Sequence, residues 1–274
     1  MDVSVVAKSV AAFEVLFQVS RPVIRKLTPL ICTKEALNDG KSAKKLIALG
    51  PSYVVSLCMS IFISTRGIAA IFKFLPYPQT VRMSYAAASA SGDSALLALW
   101  DGVLTTNEIF ISYLVNDVVH LAVTWPHLGG LDTVAHHVLF LYCSFVCGHY
   151  RLYGFPCAWL LVGELSTILL NLRWFLIKAG HGATRAMSVT NNLFAVSFFC
   201  CRIVLYAVWL PDLIIHFRLG AAGGAPIGFL WSIRVLIAAA FALNCFWMFG
   251  IVKMGLKKPS ERDARPAKAS PKAE

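Results

Sequence analysis

The chain has 274 residues, 58% hydrophobic and 14% charged, with a mean hydropathy of +0.68 and a formal net charge of +11. A soluble domain is about 25% charged, so this composition excludes an ordinary water-soluble domain and describes a polytopic membrane protein. The basic residues cluster at 21–45 and 253–272, beside apolar segments and without interleaved aromatic residues, which fits membrane topology and argues against a nucleic-acid partner.

In chain order, residues 3–20 are apolar but interrupted by Lys8 and Glu14. No small-residue cleavage pattern precedes Arg21-Pro22, so a spanning helix is expected in place of a signal peptide, with an amphipathic surface helix as the alternative. Residues 21–45, with Pro22, Pro29 and seven Lys or Arg, are expected to form a juxtamembrane loop. A second span follows from Leu46, and residues 74–100, with Pro76, Pro78 and an Ala/Ser run, form a connector with some helix. Further spans are expected at 105–124, 131–150, 156–178, 189–210 and 227–252, each near the roughly 20 residues a bilayer core requires. Asp132 is expected to cap the fourth span, Asn191-Asn192 to begin the sixth, and Pro211-Asp212 to close it.

The fold is therefore an all-α, polytopic membrane helix bundle with six to seven transmembrane helices. It divides into an N-terminal apolar helix and basic cytosolic loop (1–45), a transmembrane bundle (46–252) and a disordered basic tail (253–274). Counted on alternate sides, the Lys and Arg outside the spans divide sixteen to five, which places the 21–45 segment and the tail in the cytosol. No internal repeat and no pair of Gly/Pro-broken helices is visible, which argues against an inverted-repeat transporter.

Spans three to five carry polar groups that bilayer helices rarely keep: Asn116, Asp117 and His120; His136 and His137; Glu164, Asn171 and Arg173. An ionisable group at membrane depth costs about 2.5–3.5 kcal/mol, so these groups are expected to turn inward and find partners in one another. Asp117 and His120 share one helix face, with Arg173 or His120 as the simplest partner for Asp117 and Arg202 as a partner for Glu164. Convergence of Asp117, His120, His136, His137, Glu164, Asn171 and Arg173 would form a polar pocket open to the cytosolic leaflet.

Several chemistries lack their residues. Seven scattered histidines do not make the boxes of a di-iron desaturase, and no H-E-x-x-H, G-x-S-x-G or phosphate-cradling glycine loop occurs. Eight cysteines form no C-x-x-C pair, and six of them lie in apolar runs as small buried hydrophobes. No metal site is expected.

The runs SYLVNDVVH at 112–120, AHH at 135–137 and GELSTILLNLRWF at 163–175 resemble the TLC-domain family. This is the lipid-sensing domain shared by translocating-chain-associating membrane proteins and ceramide synthases, and the likeness spans about 46 to 252. The resemblance implies a multi-pass protein of the endoplasmic reticulum or a related membrane, active in lipid homeostasis, sensing or trafficking. Its partner would be a membrane lipid, and a homo-oligomer is compatible with it. In ceramide synthases of the family a motif opening with two histidines serves acyl transfer. By that likeness His136 or His137 would be the base and Asp117 its orienting partner, with acyl-CoA as co-substrate of a sphingolipid-type N-acyltransferase. The rest of that motif differs in this chain, so a lipid-binding protein without a resident cofactor is the preferred expectation and the enzyme the alternative. On the expected topology, protease added to sealed microsomes should remove the tail after Lys253, and a protected tail would invert the orientation.

Overall fold

The computed structural model describes residues 1–256, so the expected tail lies outside the described residues beyond that point. The described chain is helical and carries no β-strand; its architecture follows from one polar helix, α6 (Ser94–Val123). Six other helical stretches are long and apolar enough to cross a membrane, whereas α6 is not among them because of the polar side chains in its middle. It is nonetheless threaded through the bundle at their depth. Asp2 donates its backbone N–H to Glu108, and Glu14 meets His120, so α1 (Val3–Ile31) runs parallel to α6. Arg66 reaches Thr106 and Gly102, which sets α3 (Lys41–Phe74) antiparallel to it. Asn107 bonds Ser144 O and Asp117 meets His137, which fixes α7 (Leu131–Tyr150) antiparallel in register. At 30 residues α6 is about 45 Å long, enough to cross a ~30 Å core.

The first helix does not stop at Arg21. It continues through Pro22 and Pro29 to Ile31, because Ser20, Ile24 and Thr28 form a buried stripe at i, i+4 and i+8. A short α2 (Lys34–Asp39), capped by Thr33 Oγ1 on Ala36 N at 3.2 Å, leads directly into α3 at Lys41. The segment expected as a basic loop is thus almost wholly helical, its lysines and arginines carried on helix ends that extend past the apolar zone. Ser60, Ser64 and Gly67 give α3 a narrow face, and a side chain at Gly67 would meet Ala158 O at 2.7 Å. Small residues here let α3 approach α8 (Gly154–Val162) closely, as packing within lipid favours.

Between α3 and α6 stand two short helices, α4 (Gln79–Met83) and α5 (Tyr85–Ala90). The helix of the third span begins at Ser94, well before 105, because Asp93 caps it by accepting from Ala95 N and Leu96 N at 2.9 and 3.0 Å. The Leu96 amide, with the Tyr77 hydroxyl and the Ala95 amide, also holds the Asp93 carboxyl below its ordinary pKa. The fourth span is capped differently from expectation: Gly130 is the cap residue, and Asp132 lies in the first turn, where its charge favours the helix dipole.

The fifth span is broken. Its α8 ends at Val162, Gly163 and Glu164 form a turn, and α9 (Leu165–Lys178) continues the path. The sixth starts earlier and ends later than predicted. Thr184, and not Asn191-Asn192, caps α10 (Arg185–Phe198), and a π-helical stretch at Phe199–Val204 passes into α11 (Leu205–His216). Pro211 sits inside α11 without ending it, and a 3-10 segment, Phe217–Gly223, follows. The last helix, α12 (Ile227–Leu256), completes the bundle.

Two features fasten its ends. Phe74, Trp100, Phe155, Trp159 and Tyr206 pack edge to face at 5.0–6.3 Å and close one end. At the other end the α9–α10 turn is clamped to the α1–α2 turn: Thr33 N donates to Ala179 O at 2.9 Å and His181 Nε2 to Ile31 O at 2.8 Å. Gly180 makes this contact with φ +88°, and a Cβ there would overlap Thr33 Oγ1 and touch Ala36 Cβ. Gly180→Ala should therefore cost about 1–3 kcal/mol, through strain and loss of the clamp, read as a lowered unfolding temperature of the detergent-purified protein.

Candidate functional site

A cavity of about 1250 Å³ opens at the end of the bundle where α9 meets α10 and extends inward to mid-helix depth at Glu164, Ser166 and Arg202. Its walls come from α3, α6, α7, α9, α10 and α12. Most are apolar or aromatic, with Trp174 stacked on Tyr53 at 3.8 Å and Phe140 and Trp247 on the α7–α12 side. Of the seven residues anticipated for a pocket, Asp117, His136, His137, Glu164, Asn171 and Arg173 line this space. His120 does not.

The inner part of the cavity holds two ion pairs. His137 Nε2 lies 2.9 Å from Asp117 Oδ2, and its Nδ1 lies 2.8 Å from Thr133 O. A carbonyl only accepts, so Nδ1 must carry a proton, and Nε2 faces a carboxylate with which it shares another. Both nitrogens are thus engaged, and His137 has none open to take a proton from a ligand. Asp117 orients His137, not His136, and it pairs with neither Arg173 nor His120.

The second pair is Arg202 Nη2 to Glu164 Oε1 at 3.0 Å, the partnership expected for Glu164. Arg202 does more than neutralise that carboxylate. Its Nε donates to Gly163 O and Ser166 Oγ at 3.1 and 3.0 Å, and Nη2 also reaches Thr167 Oγ1 at 3.1 Å. Breaking the fifth span frees the Gly163 carbonyl, which lipid cannot satisfy, and the guanidinium and Ser166 Oγ both donate to it. Its own helix is π-wound over Phe199–Val204, where Arg202 is buried to 6% exposure.

His136 differs from its neighbour His137. Its ring lies 4.7 Å from Phe140, 5.4 Å from Trp247 and 5.6 Å from His137, and neither nitrogen has a hydrogen-bond partner among the described residues. An imidazole held between aromatic rings with its nitrogens facing open space is free to donate to, or accept from, whatever occupies the cavity. Asn171 donates to Ser56 Oγ at 3.0 Å, and Arg173 donates through Nε to Asn191 Oδ1 at 2.8 Å. Arg173 has no carboxylate within ion-pair distance among the described residues.

His120 belongs to a separate cluster on the outer side of α6. Its Nε2 meets Glu14 Oε2 at 3.0 Å, Phe17 stacks on its ring at 4.0 Å, and Asn116 also donates to Glu14 Oε2 at 3.3 Å. One helix face accommodates Asp117 and His120 only loosely, about 60° apart, so Asp117 turns to α7 and His120 to α1. The interruption of the first span by Glu14 was the sequence signal for this pairing, and Tyr53 and Trp247 gave none that distinguished them from other apolar-helix aromatics. Among the described residues no group of three or more His, Cys, Asp or Glu is disposed to hold a metal.

An all-α bundle of membrane-crossing helices, lined inside by paired charges and one open histidine, is an integral multi-pass membrane protein with an intramembrane cavity. A family model for the TLC domain matches residues 54–253, and the chain belongs to the TLC-domain family. It is 27% identical over 158 residues to TLC domain-containing protein 4-B of Xenopus laevis, covering 57% of this chain and 60% of the relative. It is 25% identical over 239 residues to an uncharacterized TLC domain-containing protein of Schizosaccharomyces pombe, covering 85% and 73%. With TLC domain-containing protein 4 of Homo sapiens the identity is 26% over 184 residues, covering 63% and 67%. The helix α1, with Glu14, lies outside the matched domain.

Arg202→Met should destabilise the protein by about 3–5 kcal/mol, because Glu164 would lose its counter-charge inside the membrane and Gly163 O would keep only Ser166 Oγ as a side-chain donor. Glu164→Gln, which keeps an acceptor for Arg202 Nη2, should cost less. Thermal unfolding in detergent orders the two variants.

Proposed function

We propose that this protein binds a membrane lipid in the cavity and serves lipid homeostasis, sensing or trafficking in the endoplasmic reticulum, with its C-terminus in the cytosol. The observation that carries the reading is the cavity's chemistry. About 1250 Å³ of largely apolar space, inside a bundle that lies in lipid, is suited to acyl chains and poorly suited to a water-soluble ligand. The polar groups at its inner end are mutually neutralised, so they can meet a lipid's hydroxyl, amide or ester without the desolvation cost of an isolated charge. The lysines and arginines of the α1–α3 corner, Lys178 and Arg185 lie at the cavity's open end, which under the positive-inside rule would face the cytosol.

An N-acyltransferase is the second reading, and it rests on His136 alone. Its open imidazole could take a proton from an attacking amine as the new N–C bond forms at an acyl thioester carbonyl. It would then return that proton to the departing thiolate as the C–S bond breaks. In that reading His137, locked by Asp117 and Thr133 O, positions the start of α7 and does not transfer the proton.

One experiment separates the two. Protein purified in mild detergent is extracted and its lipids identified by mass spectrometry, alongside Ala195→Trp, which fills the cavity from α10. In parallel, acyl-CoA consumption with a sphingoid amine is followed for wild type, His136→Ala and His137→Gln. Lipid retained by wild type and lost from Ala195→Trp, without turnover, is the expected outcome. Turnover abolished by His136→Ala but surviving His137→Gln would establish the enzyme. Equal lipid content in wild type and Ala195→Trp would overturn the binding reading.

A further inference from the structure

At the end of the bundle opposite the cavity mouth, Arg218 and Arg234 share one aromatic group and have no counter-charge among the described residues. Arg234, in the second turn of α12, lies 4.8 Å from the ring centroid of Phe217 and 4.6 Å from that of Trp231. Arg218, which is exposed, lies 5.8 Å from the same Phe217 ring. Neither arginine has a hydrogen-bond acceptor or a carboxylate partner among the described residues. The carboxylate closest in sequence, Asp212, is occupied by Gln79 and by His216 Nδ1. Phe217 itself is held in place: it is buried, and its carbonyl accepts from Tyr153 Oη at 2.6 Å.

The depth of these groups identifies the anion that would complete them. The 30 residues of α12 extend about 45 Å, some 15 Å more than the bilayer's hydrocarbon, so its first turns emerge toward the headgroups. Arg234 lies about 10 Å from the helix start, and helical side chains lean toward the N-terminus, so its guanidinium reaches the boundary where phosphates lie. Trp231, 42% exposed, sits on the same helix where an interfacial aromatic belongs. Cation–aromatic contact holds Arg234 in the plane of the interface but does not neutralise it, and the guanidinium fork matches phosphate oxygens.

We infer that Arg218 and Arg234, organised around Phe217 and Trp231, form an interfacial binding site for the phosphodiester headgroup of a phospholipid, separate from the intramembrane cavity. Arg234 is the fixed element of the site, and the exposed Arg218 has room to close over the phosphate. The site leaves the acyl chains outside, along the lipid-facing side of α12, and therefore selects for the phosphate and not for chain identity.

The test is native mass spectrometry of the full-length protein in detergent, titrated with palmitoyl-oleoyl phosphatidylglycerol and, separately, with the matching phosphate-free diacylglycerol. Arg218→Gln/Arg234→Gln should weaken phosphatidylglycerol retention about tenfold, as expected for losing charge-assisted hydrogen bonds, and leave diacylglycerol retention unchanged. Arg218→Gln alone, a change at an exposed position, should give a smaller loss in the same direction and serves if the double variant does not fold. Ala195→Trp should not alter this binding, which separates the site from the cavity. Unchanged phosphatidylglycerol retention in both arginine variants would overturn the proposal. So would an equal loss of both lipids, or displacement of the phospholipid by millimolar inorganic phosphate, which would mark a site for free anions.

Discussion

Inside a bilayer a polar side chain that faces the bundle must find its partner in the protein, because there is no water to supply one. That constraint governs α6. Along this one helix Asn107 bonds the backbone of α7, Glu108 accepts from the N-terminus of α1, Asn116 and His120 converge on Glu14, and Asp117 takes His137. Each pairing fixes a neighbour's register, so the helix that hydropathy would reject as a span is the one on which its neighbours align. Hydrogen bonds among helices contribute modestly to stability in lipid, but they are directional, and direction is what sets register here.

The same rule explains the irregular backbone beside the cavity. A turn at Gly163–Glu164 and a π-helical stretch at Phe199–Val204 would each leave unsatisfied groups in an open lipid environment. They occur together because Arg202 projects from one into the other and donates to its carbonyl and side-chain oxygens. Broken helices at membrane depth are tolerated where protein or a cavity borders them, and the cavity lies against this pair. Gly/Pro-broken helices in both halves of a chain would mark an inverted-repeat transporter. One turn and one π stretch, without a repeated counterpart in the other half of the described residues, do not make that pattern.

Within the cavity, proton accounting distinguishes two histidines that are neighbours in sequence. Adjacent helical residues point about 100° apart, so His137 meets Asp117 and the carbonyl of Thr133, while His136 turns into an aromatic slot with its nitrogens open. The pair that looks like one motif is therefore one structural residue and one available residue. His120 shows the same divergence, joined to α1 by Glu14 and Phe17 although it follows Asp117 by three positions.

The amino-acid order alone established the class of the protein and which spans carry polar side chains. Long apolar runs had to cross a membrane, and the charged and amide side chains of spans three to five had to turn inward, because lipid penalises any other arrangement; Glu164 with Arg202 was legible as a pair for that reason. Helix limits were less legible. Pro22, Pro29 and Pro211 read as terminators, yet the helices continue through them, because burial of Ser20, Ile24 and Thr28 and packing around α11 outweigh one missing amide bond. The pairing of the polar groups was decided only by tertiary structure. Asp117 could have met Arg173, His120 or His137, since all three choices neutralise it equally well on paper, and the choice depends on helix rotation to within a fraction of a turn. Rotation is set by side-chain packing across many positions at once, from Gly67 against Ala158 to Phe17 on His120, and no local pattern in the chain encodes it.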